Sequence, residues 1–165
     1  MKLTKVKIDK LDYKIMEQVQ TDASISIQEL AERVGLSSTA CWRRLRKMEN
    51  EGVIRKTVAI LDPRHVKLSV NVFANVRLKE HNQESLRHFE EAIDHIPEVV
   101  ECYSVTGEND FLLRVVVKDV EAYEELLNKK LINLFEVSSY KSMFALRQIK
   151  YQTELPLAKS GFHDK

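Results

Sequence analysis

Basic residues are concentrated in one short segment, and their types suit nucleic-acid binding. The stretch from Ser37 to Lys56, SSTACWRRLRKMENEGVIRK, holds six Lys and Arg residues among twenty. An arginine guanidinium can donate two hydrogen bonds to guanine O6 and N7, and lysine neutralises phosphate. Serine and threonine hydroxyls also contact phosphates. The segment is therefore a candidate DNA-binding surface.

A helix over residues 38–51 would place these donors on one face. At about 100° per residue, Cys41, Leu45 and Met48 share a narrow stripe, which we expect to face the core, with Cys41 as a buried structural thiol. The predicted DNA-binding residues are Ser38, Thr39, Trp42, Arg43, Arg44, Arg46, Lys47, Arg55 and Lys56. The alternatives are a solvated charged face and, for Trp42, packing against the first helix.

Helix start and stop signals divide the first 56 residues into three helices. Asp9, with Asp12 three residues later, predicts a first helix over about 9–20. The pair Ser26 and Glu29 predicts a capping box for a second helix, which Gly35 ends. Two helices joined by a short turn containing glycine are typical of the helix-turn-helix motif, whose second helix enters the major groove.

After the helices, the hydrophobic period changes from 3.6 to 2. Residues 53–61, VIRKTVAIL, are rich in β-branched residues and predict a strand or wing, and Asp62-Pro63 marks a domain boundary. Alternation over 70–78 predicts a strand. Further apolar patterns give a helix around 86–96, two strands joined across residues 107–110, a helix around 120–131 and a last strand from about Val137 to Leu146. The order βαββαβ is that of a ferredoxin-like domain.

Composition narrows the class of protein. The net charge is +1, but residues 1–56 carry 12 Lys and Arg against 8 Asp and Glu, and the remainder carry 14 against 17. The basic charge thus lies where the helix-turn-helix is predicted. The two cysteines have no metal-ligand spacing, so we expect reduced thiols and no metal. The chain lacks an apolar run long enough for a membrane span, which favours a cytoplasmic protein.

With both regions in view, the chain resembles the Lrp/AsnC family of bacterial and archaeal transcription regulators. The matching segments are ISIQELAERVGLSSTACWRRLRKMENEGVI, AILDP, VTGENDFLL and FALRQIKY. The resemblance implies an α+β fold: an N-terminal winged helix-turn-helix followed by a ferredoxin-like, RAM or ACT-like domain that binds amino acids. It also implies homodimers that assemble into octamers, and a nucleoid-associated location.

The resemblance further implies an effector site on the second domain. The family's G-x-x-D-[YF] loop corresponds to Gly107, Asp110 and Phe111, and its hydroxyl-rich last strand to Tyr140 and Ser142. The predicted effector-binding residues are Thr106, Gly107, Glu108, Asn109, Asp110, Phe111, Tyr140 and Ser142. The Gly107 amide suits a carboxylate and Asp110 suits an ammonium group. The alternative is that Gly107 only forms the turn and Asp110 only holds the loop backbone.

The sequence also predicts where the domains begin and end and what the protein binds. We expect a DNA-binding domain over residues 1–61, a linker over 62–68, a sensing and oligomerisation domain over 69–157 and a flexible tail over 158–165. The expected partners are double-stranded DNA, an amino-acid effector and further copies of the chain, with no cofactor and no membrane. An architectural DNA-binding oligomer without small-molecule control is the alternative function. Catalysis has no supporting motif, since phosphate-loop and HExxH patterns are absent from the sequence.

Overall fold

The computed structural model describes residues 6–80, 82–134 and 137–157, and their contacts form two compact units. Of the described residues, those up to Ala59 and those from Lys150 onward make the first unit, and Ile60–Ile149 make the second. The C-terminal residues 150–157 thus group with the helices, whereas the sequence assigned them to the sensing domain. The predicted domain limits stay a prediction, and the predicted tail over 158–165 lies outside the described residues.

Three helices build the first unit: α1 over Lys10–Thr21, α2 over Ile27–Val34 and α3 over Ser38–Asn50. The Asp9 carboxylate accepts from the Asp12 N–H at 3.0 Å, and the Asp12 carboxylate accepts from the Asp9 N–H at 3.1 Å. This reciprocal capping box satisfies N–H groups that a helix start leaves unpaired. The predicted cap of the first helix is confirmed.

The caps of α2 and α3 use serine. The Ser26 hydroxyl accepts from the Glu29 N–H at 3.2 Å, but the Glu29 carboxylate pairs with Arg33 at 2.6 Å, so the predicted capping box is only half formed. Ser37 caps α3 by accepting from the Ala40 N–H at 3.3 Å. Gly35 ends α2 with a φ of 74°, a left-handed conformation that favours glycine. This short turn fixes α3 against α2.

The core of the first unit lies between the three helices. Ile15, Leu30, Cys41 and Met48 are all nearly fully buried, and Leu45 packs against them. The predicted inward stripe of α3 is therefore confirmed. Burial raises the pKa of the Cys41 thiol, which keeps it protonated and unreactive.

The predicted strand or wing over residues 53–61 is not present as a strand. The N–H groups of Val53 and Ile54 both bond to the Met48 carbonyl, and the chain then runs on without strand pairing. Val58 and Ile60 are 60% and 59% exposed. Strand propensity depends on pairing and burial, and no described segment of this single chain pairs with these residues.

The C-terminal segment attaches to α1 through one glutamine side chain. The Gln20 amide donates to the Leu155 carbonyl at 3.1 Å, and its oxygen accepts from the Leu155 N–H at 3.0 Å. The Gln20 side-chain amide thus bonds both the N–H and the C=O of Leu155, as the backbone of a neighbouring strand would. They hold residues 150–157 on the helical unit.

A four-stranded antiparallel sheet forms the second unit. Its strands are β1 over Val70–Leu78, β2 over Val99–Ser104, β3 over Phe111–Val117 and β4 over Val137–Phe144. They lie in the order β2-β3-β1-β4. This arrangement agrees with the predicted βαββαβ order.

Two helices supply the other layer of the second unit: α4 over Gln83–Asp94, and α5 over Val120–Leu126, which continues as a π-helical turn over Leu127–Leu131. Phe89 is fully buried, and its ring lies 4.5 Å from that of Phe111. Alternate residues of β1 and β3 point into the same core, as the period of two predicted. No helix within the described ranges is long and apolar enough to cross a membrane.

We expect Gln20→Ala to loosen residues 150–157 without unfolding the helices. The variant loses two hydrogen bonds of about 1 kcal/mol each, and about 1.4 kcal/mol corresponds to a tenfold change, so exchange of the Leu155 amide should accelerate by up to about thirtyfold. Amide hydrogen exchange measures this. Gln18→Ala is the matched control, because the Gln18 side chain bonds Arg33 rather than the C-terminal segment. Equal exchange in both variants would contradict the proposed attachment.

Candidate DNA-binding face and effector loop

The outward side of α3 presents most of the predicted DNA-binding residues. Ser38, Thr39, Arg43, Arg46 and Lys47 are all exposed, and Thr39, Arg43 and Arg46 lie on the side opposite the buried stripe. The Arg46 guanidinium pairs with Glu49 at 2.8 Å and lies 5.8 Å from the Trp42 ring centroid. Arg43 has no ion-pair partner among the described residues. The helix therefore offers a continuous surface of hydrogen-bond donors.

Trp42 is 52% exposed and lies on this surface rather than in the core. The contact with Arg46 places a cation beside an aromatic ring, which is a favourable electrostatic arrangement. The alternative interpretation was that Trp42 packs against the first helix. Such packing covers no more than about half of the side chain, since the other half is exposed to solvent. Trp42 and Arg46 together extend the donor surface toward the C-terminal half of α3.

Arg44 has a different environment from the neighbouring arginines. One nitrogen of its guanidinium, Nη1, lies 2.7 Å from an Asp9 carboxylate oxygen and 2.7 Å from an Asp12 carboxylate oxygen. Asp12 is 6% exposed, and the Arg44 side chain is 28% exposed. The structure therefore assigns Arg44 to joining α3 to the start of α1, while the sequence had grouped it with the DNA-binding donors.

Electrostatics support this assignment of Arg44. Hydrogen bonds to Asp12 and then to Asp9 raise the Arg44 pKa. Burial alone would raise the pKa of Asp9, but bonds from the Asp12 N–H and the Arg44 guanidinium outweigh it and lower that pKa. Both groups are therefore held in their charged forms.

Arg55 and Lys56 are exposed in the irregular segment after α3. They lie in the part of the first unit that the sequence predicted as a wing, but no strand fixes their side chains. A basic residue that the sequence analysis missed lies elsewhere. Lys7 lines a cavity of about 430 Å³ together with Arg43, Arg44, Lys47, Asp9 and Asp12. Its position two residues before the α1 cap is the only sequence signal for it.

In the second unit, the loop before β3 is anchored to the end of β1. The Asp110 N–H donates to the Val76 carbonyl at 2.9 Å, and the Asp110 carboxylate accepts from the Leu78 N–H at 2.7 Å. Gly107 has a φ of 116°, a conformation that side-chain-bearing residues rarely adopt. The alternative interpretation was that Asp110 only bonds the loop backbone. The Asp110 carboxylate does accept a backbone hydrogen bond, but from Leu78 of β1 rather than from the loop.

The other predicted effector residues have varied surroundings. Thr106 and Glu108 are exposed and Asn109 is half-buried. Phe111 is 1% exposed, and its ring packs in the core against Phe89 of α4. The amide and side-chain groups of the loop itself remain the accessible ones.

The hydroxyls of β4 bond within the second unit. The Tyr140 hydroxyl donates to the Leu131 carbonyl at 2.6 Å, and the Ser142 hydroxyl lies 2.5 Å from that of Tyr123. Burial, followed by the neighbouring Tyr123, raises the pKa of Tyr140 well above its usual range. Tyr140 pairs with Val76 in the sheet, as Phe111 does from the other side. The backbones of β3 and β4 therefore flank β1 at the same end of the sheet, two strand spacings or about 10 Å apart, and the Asp110 carboxylate reaches β1 between them.

A cavity of about 310 Å³ lies between α4 and β2, and Phe111 is the one predicted effector residue in its lining. Its lining includes Glu90, Asp94 and the exposed Cys102. Within the described residues, no group of three or more histidines, cysteines or carboxylates is placed to hold a metal ion. Of the predicted effector residues, Thr106, Gly107 and Glu108 are thus exposed at the surface of the loop.

Comparison with known families identifies both units. Residues 8–55 match a winged helix-turn-helix DNA-binding model, and residues 71–155 match the Lrp/AsnC ligand binding domain. The chain belongs to the Lrp/AsnC family. The predicted family, fold class and type of regulator are confirmed.

Individual relatives are similar in sequence to this Lrp/AsnC protein over nearly its whole length. The glutamate uptake regulatory protein of Zymomonas mobilis is 38% identical over 94% of this chain and 94% of its own length. The DNA-binding transcriptional activator DecR of Escherichia coli is 36% identical over 91% of this chain and 99% of its own.

Two solved structures show the same architecture. An AsnC family transcriptional regulator from Agrobacterium tumefaciens superposes with a TM-score of 0.86 and 46% identity, covering 92% of this chain and 98% of its own. A transcriptional regulator from Neisseria meningitidis in complex with L-Met has a TM-score of 0.86 and 34% identity, covering 92% and 97%. Both agree with the architecture described above.

We expect Arg44→Ala to lower the free energy of unfolding of the first unit by about 1–3 kcal/mol, because Asp12 would keep a buried carboxylate without its guanidinium partner. Chemical denaturation measures this change. Arg33→Ala is the control: it removes an exposed pair within one helix and should cost about 0.5 kcal/mol or less. Equal losses would contradict the structural assignment of Arg44.

The same variant has a defined pH dependence. Because the folded state lowers the pKa of Asp9, its contribution to stability is complete above the ordinary aspartate pKa and is lost as the pH falls through the lowered value. The stability difference between wild type and Arg44→Ala should therefore be largest near neutral pH and shrink below a pH of about 4.

Proposed function

We propose that this protein regulates transcription by reading a DNA sequence with α3 and that an amino acid bound at the second unit modulates this. The observation that carries the proposal is the division of α3 into a buried stripe and an opposite surface of donors. Thr39 and Arg43 lie at the centre of that surface, with Arg46 and Lys47 beyond them. A helix of this kind fits the major groove, where an arginine can recognise guanine through two hydrogen bonds.

Arg43 is the residue best suited to base recognition. It is exposed, no described carboxylate pairs with it, and no shared hydrogen bond fixes its guanidinium elsewhere. Arg46 and Lys47 have acidic neighbours at 2.8 Å and 4.0 Å and suit phosphate contacts better, because phosphate can replace an exposed carboxylate. Arg44 positions α3 and does not contact DNA in this proposal.

We expect Arg43→Ala to weaken binding to a selected duplex by about 1–3 kcal/mol and binding to random duplexes by less, because a base contact adds to the phosphate contacts only at the correct sequence. The duplex is selected by the wild-type protein from a random-sequence pool, and fluorescence anisotropy gives both affinities. Arg87→Ala, which removes an exposed arginine from α4, controls for net charge. An equal loss on both DNAs would favour the architectural alternative.

Binding to DNA as a homodimer is part of the proposal. The sheet leaves one face without helices, and Phe73 and Leu112 are only half-buried there, with Met143 45% exposed. Further apolar side chains of the second unit are largely solvent-accessible: Leu61, Leu146 and Ile149.

A single-sheet domain usually covers such a face with another layer, and a second copy of the same chain provides one with matching symmetry. Two copies would present two α3 helices to a palindromic site. Larger rings built from such dimers are the further assembly that we propose.

The proposed effector is an amino acid at the loop of residues 106–110. The Neisseria meningitidis relative was solved with L-Met, and the matched domain is a ligand-binding one. The conformation of Gly107 exposes backbone to which a ligand carboxylate can bond, and Asp110 provides a negative charge for an ammonium group. Control of amino-acid metabolism genes is the biological role that this chemistry suits.

The effector proposal predicts ligand-induced stabilisation. In a thermal-shift panel of the twenty amino acids at millimolar concentration, we expect one chemical class to stabilise the protein, by about 2.7 kcal/mol at one hundred times its dissociation constant. Asp110→Asn should abolish the shift, because it removes the charge but keeps an oxygen to accept from the Leu78 N–H. Asp110→Ala serves as a comparison that removes both. Stabilisation that persists in Asp110→Asn would exclude Asp110 as the ammonium partner.

A further inference from the structure

A cavity beside α3 brings together residues from the chain before α1 and from α3 itself. It measures about 430 Å³ and is lined by Lys7, Asp9, Asp12, Arg43, Arg44 and Lys47. Lys7 precedes the helix cap and is exposed, whereas Arg43 belongs to the outward surface of α3. The cavity therefore connects the proposed base-reading surface with the start of α1.

The charges around this cavity do not cancel. Both carboxylates of the lining, those of Asp9 and Asp12, bond the Arg44 guanidinium at 2.7 Å. Three cations remain: Lys7, Arg43 and Lys47. Within the described ranges, Lys7 and Arg43 have no ion-pair partner, and Lys47 has only a 4.0 Å contact with the exposed Glu51. The lining thus carries four positive and two negative charges, and Arg44 shields the negative ones.

We infer that this cavity binds a backbone phosphate of DNA, with Lys7 as a contact outside the recognition helix. The inference rests on the proposed function, because it places DNA against α3. The major groove is about 12 Å wide and phosphates border it on both sides, so a cation beside a helix in the groove faces the sugar-phosphate backbone. A lysine ammonium suits one phosphate as a compact charge and carries no sequence information.

Arg44 also affects the electrostatic potential of this cavity. An uncompensated Asp9 carboxylate beside the cavity would repel a phosphate, and the guanidinium removes that repulsion while it joins α1 to α3. The same ion pair positions the recognition helix and makes the neighbouring cavity cationic.

The test compares Lys7→Gln with Lys10→Gln. Lys10 is an exposed lysine three residues later that does not line the cavity, so both variants lose one charge from the same part of the chain. Affinity is measured by fluorescence anisotropy between 50 and 200 mM KCl, roughly the range over which phosphate contacts change affinity most visibly. The probes are the selected duplex and a random duplex.

We expect Lys7→Gln to reduce the slope of log K against log salt concentration by about 0.9 on both duplexes, the value for one phosphate contact, and Lys10→Gln to leave it nearly unchanged. An unchanged slope in Lys7→Gln, or equal changes in both variants, would overturn the inference while leaving the proposed function intact. Failure of the wild-type protein to bind any duplex would instead overturn the proposed function and this inference with it.

Inorganic phosphate distinguishes a free anion from DNA. In calorimetric titration at constant ionic strength, we expect no saturable binding of phosphate at millimolar concentration, since a single ion lacks the other contacts of the duplex. Saturable binding that depends on Lys7, together with an unchanged DNA slope, would overturn the assignment to DNA and indicate a free anion as the ligand.

Discussion

The paired contact of Arg44 with Asp9 and Asp12 is the constraint on which the DNA-binding unit depends. Asp12 is nearly buried and also caps α1. Because little water reaches its carboxylate, a cationic partner must stabilise the negative charge. Arg44 supplies that partner from the middle of α3. The orientation of α3 relative to α1 is therefore set by charge as well as by apolar packing, since Arg44 Nη1 must lie within hydrogen-bond distance of both carboxylates.

This constraint explains how one short segment serves two purposes. Consecutive helical positions are separated by about 100°, so adjacent arginines in the RRLR stretch point in different directions. Arg44 points toward the start of α1, while Arg43 and Arg46 remain on the outer surface. Replacing Arg44 by lysine would keep the charge but lose the guanidinium, whose Nη1 bonds both carboxylates.

Much of the fold could be predicted from the sequence, because its signals are local. Caps such as Asp9 and Ser26, the left-handed Gly35 and the alternation along β1 each concern neighbouring residues, and the structure contains all of them. The direction of Arg44 could not be predicted, since its partners lie 32 and 35 residues away and charge alone does not reveal them. The predicted strand over 53–61 was wrong for the single chain because strand formation needs a pairing partner, which propensity does not supply.

The effector loop shows why the two interpretations of Asp110 are compatible. A carboxylate offers about four acceptor positions, so a bond from the Leu78 N–H does not by itself exclude a bond to an ammonium group. That bond fixes the carboxylate at the end of β1 and so reduces the conformational freedom that ligand binding would otherwise remove. An Asp110 held by backbone is thus better prepared to bind an ammonium group than a freely rotating one. Tyr140 and Ser142 differ, because their hydroxyls bond inside the unit and β1 lies between β4 and the start of β3. A ligand that contacts both regions must cross the end of β1, or a neighbouring subunit must complete the site, which is how assembly and effector binding would become linked.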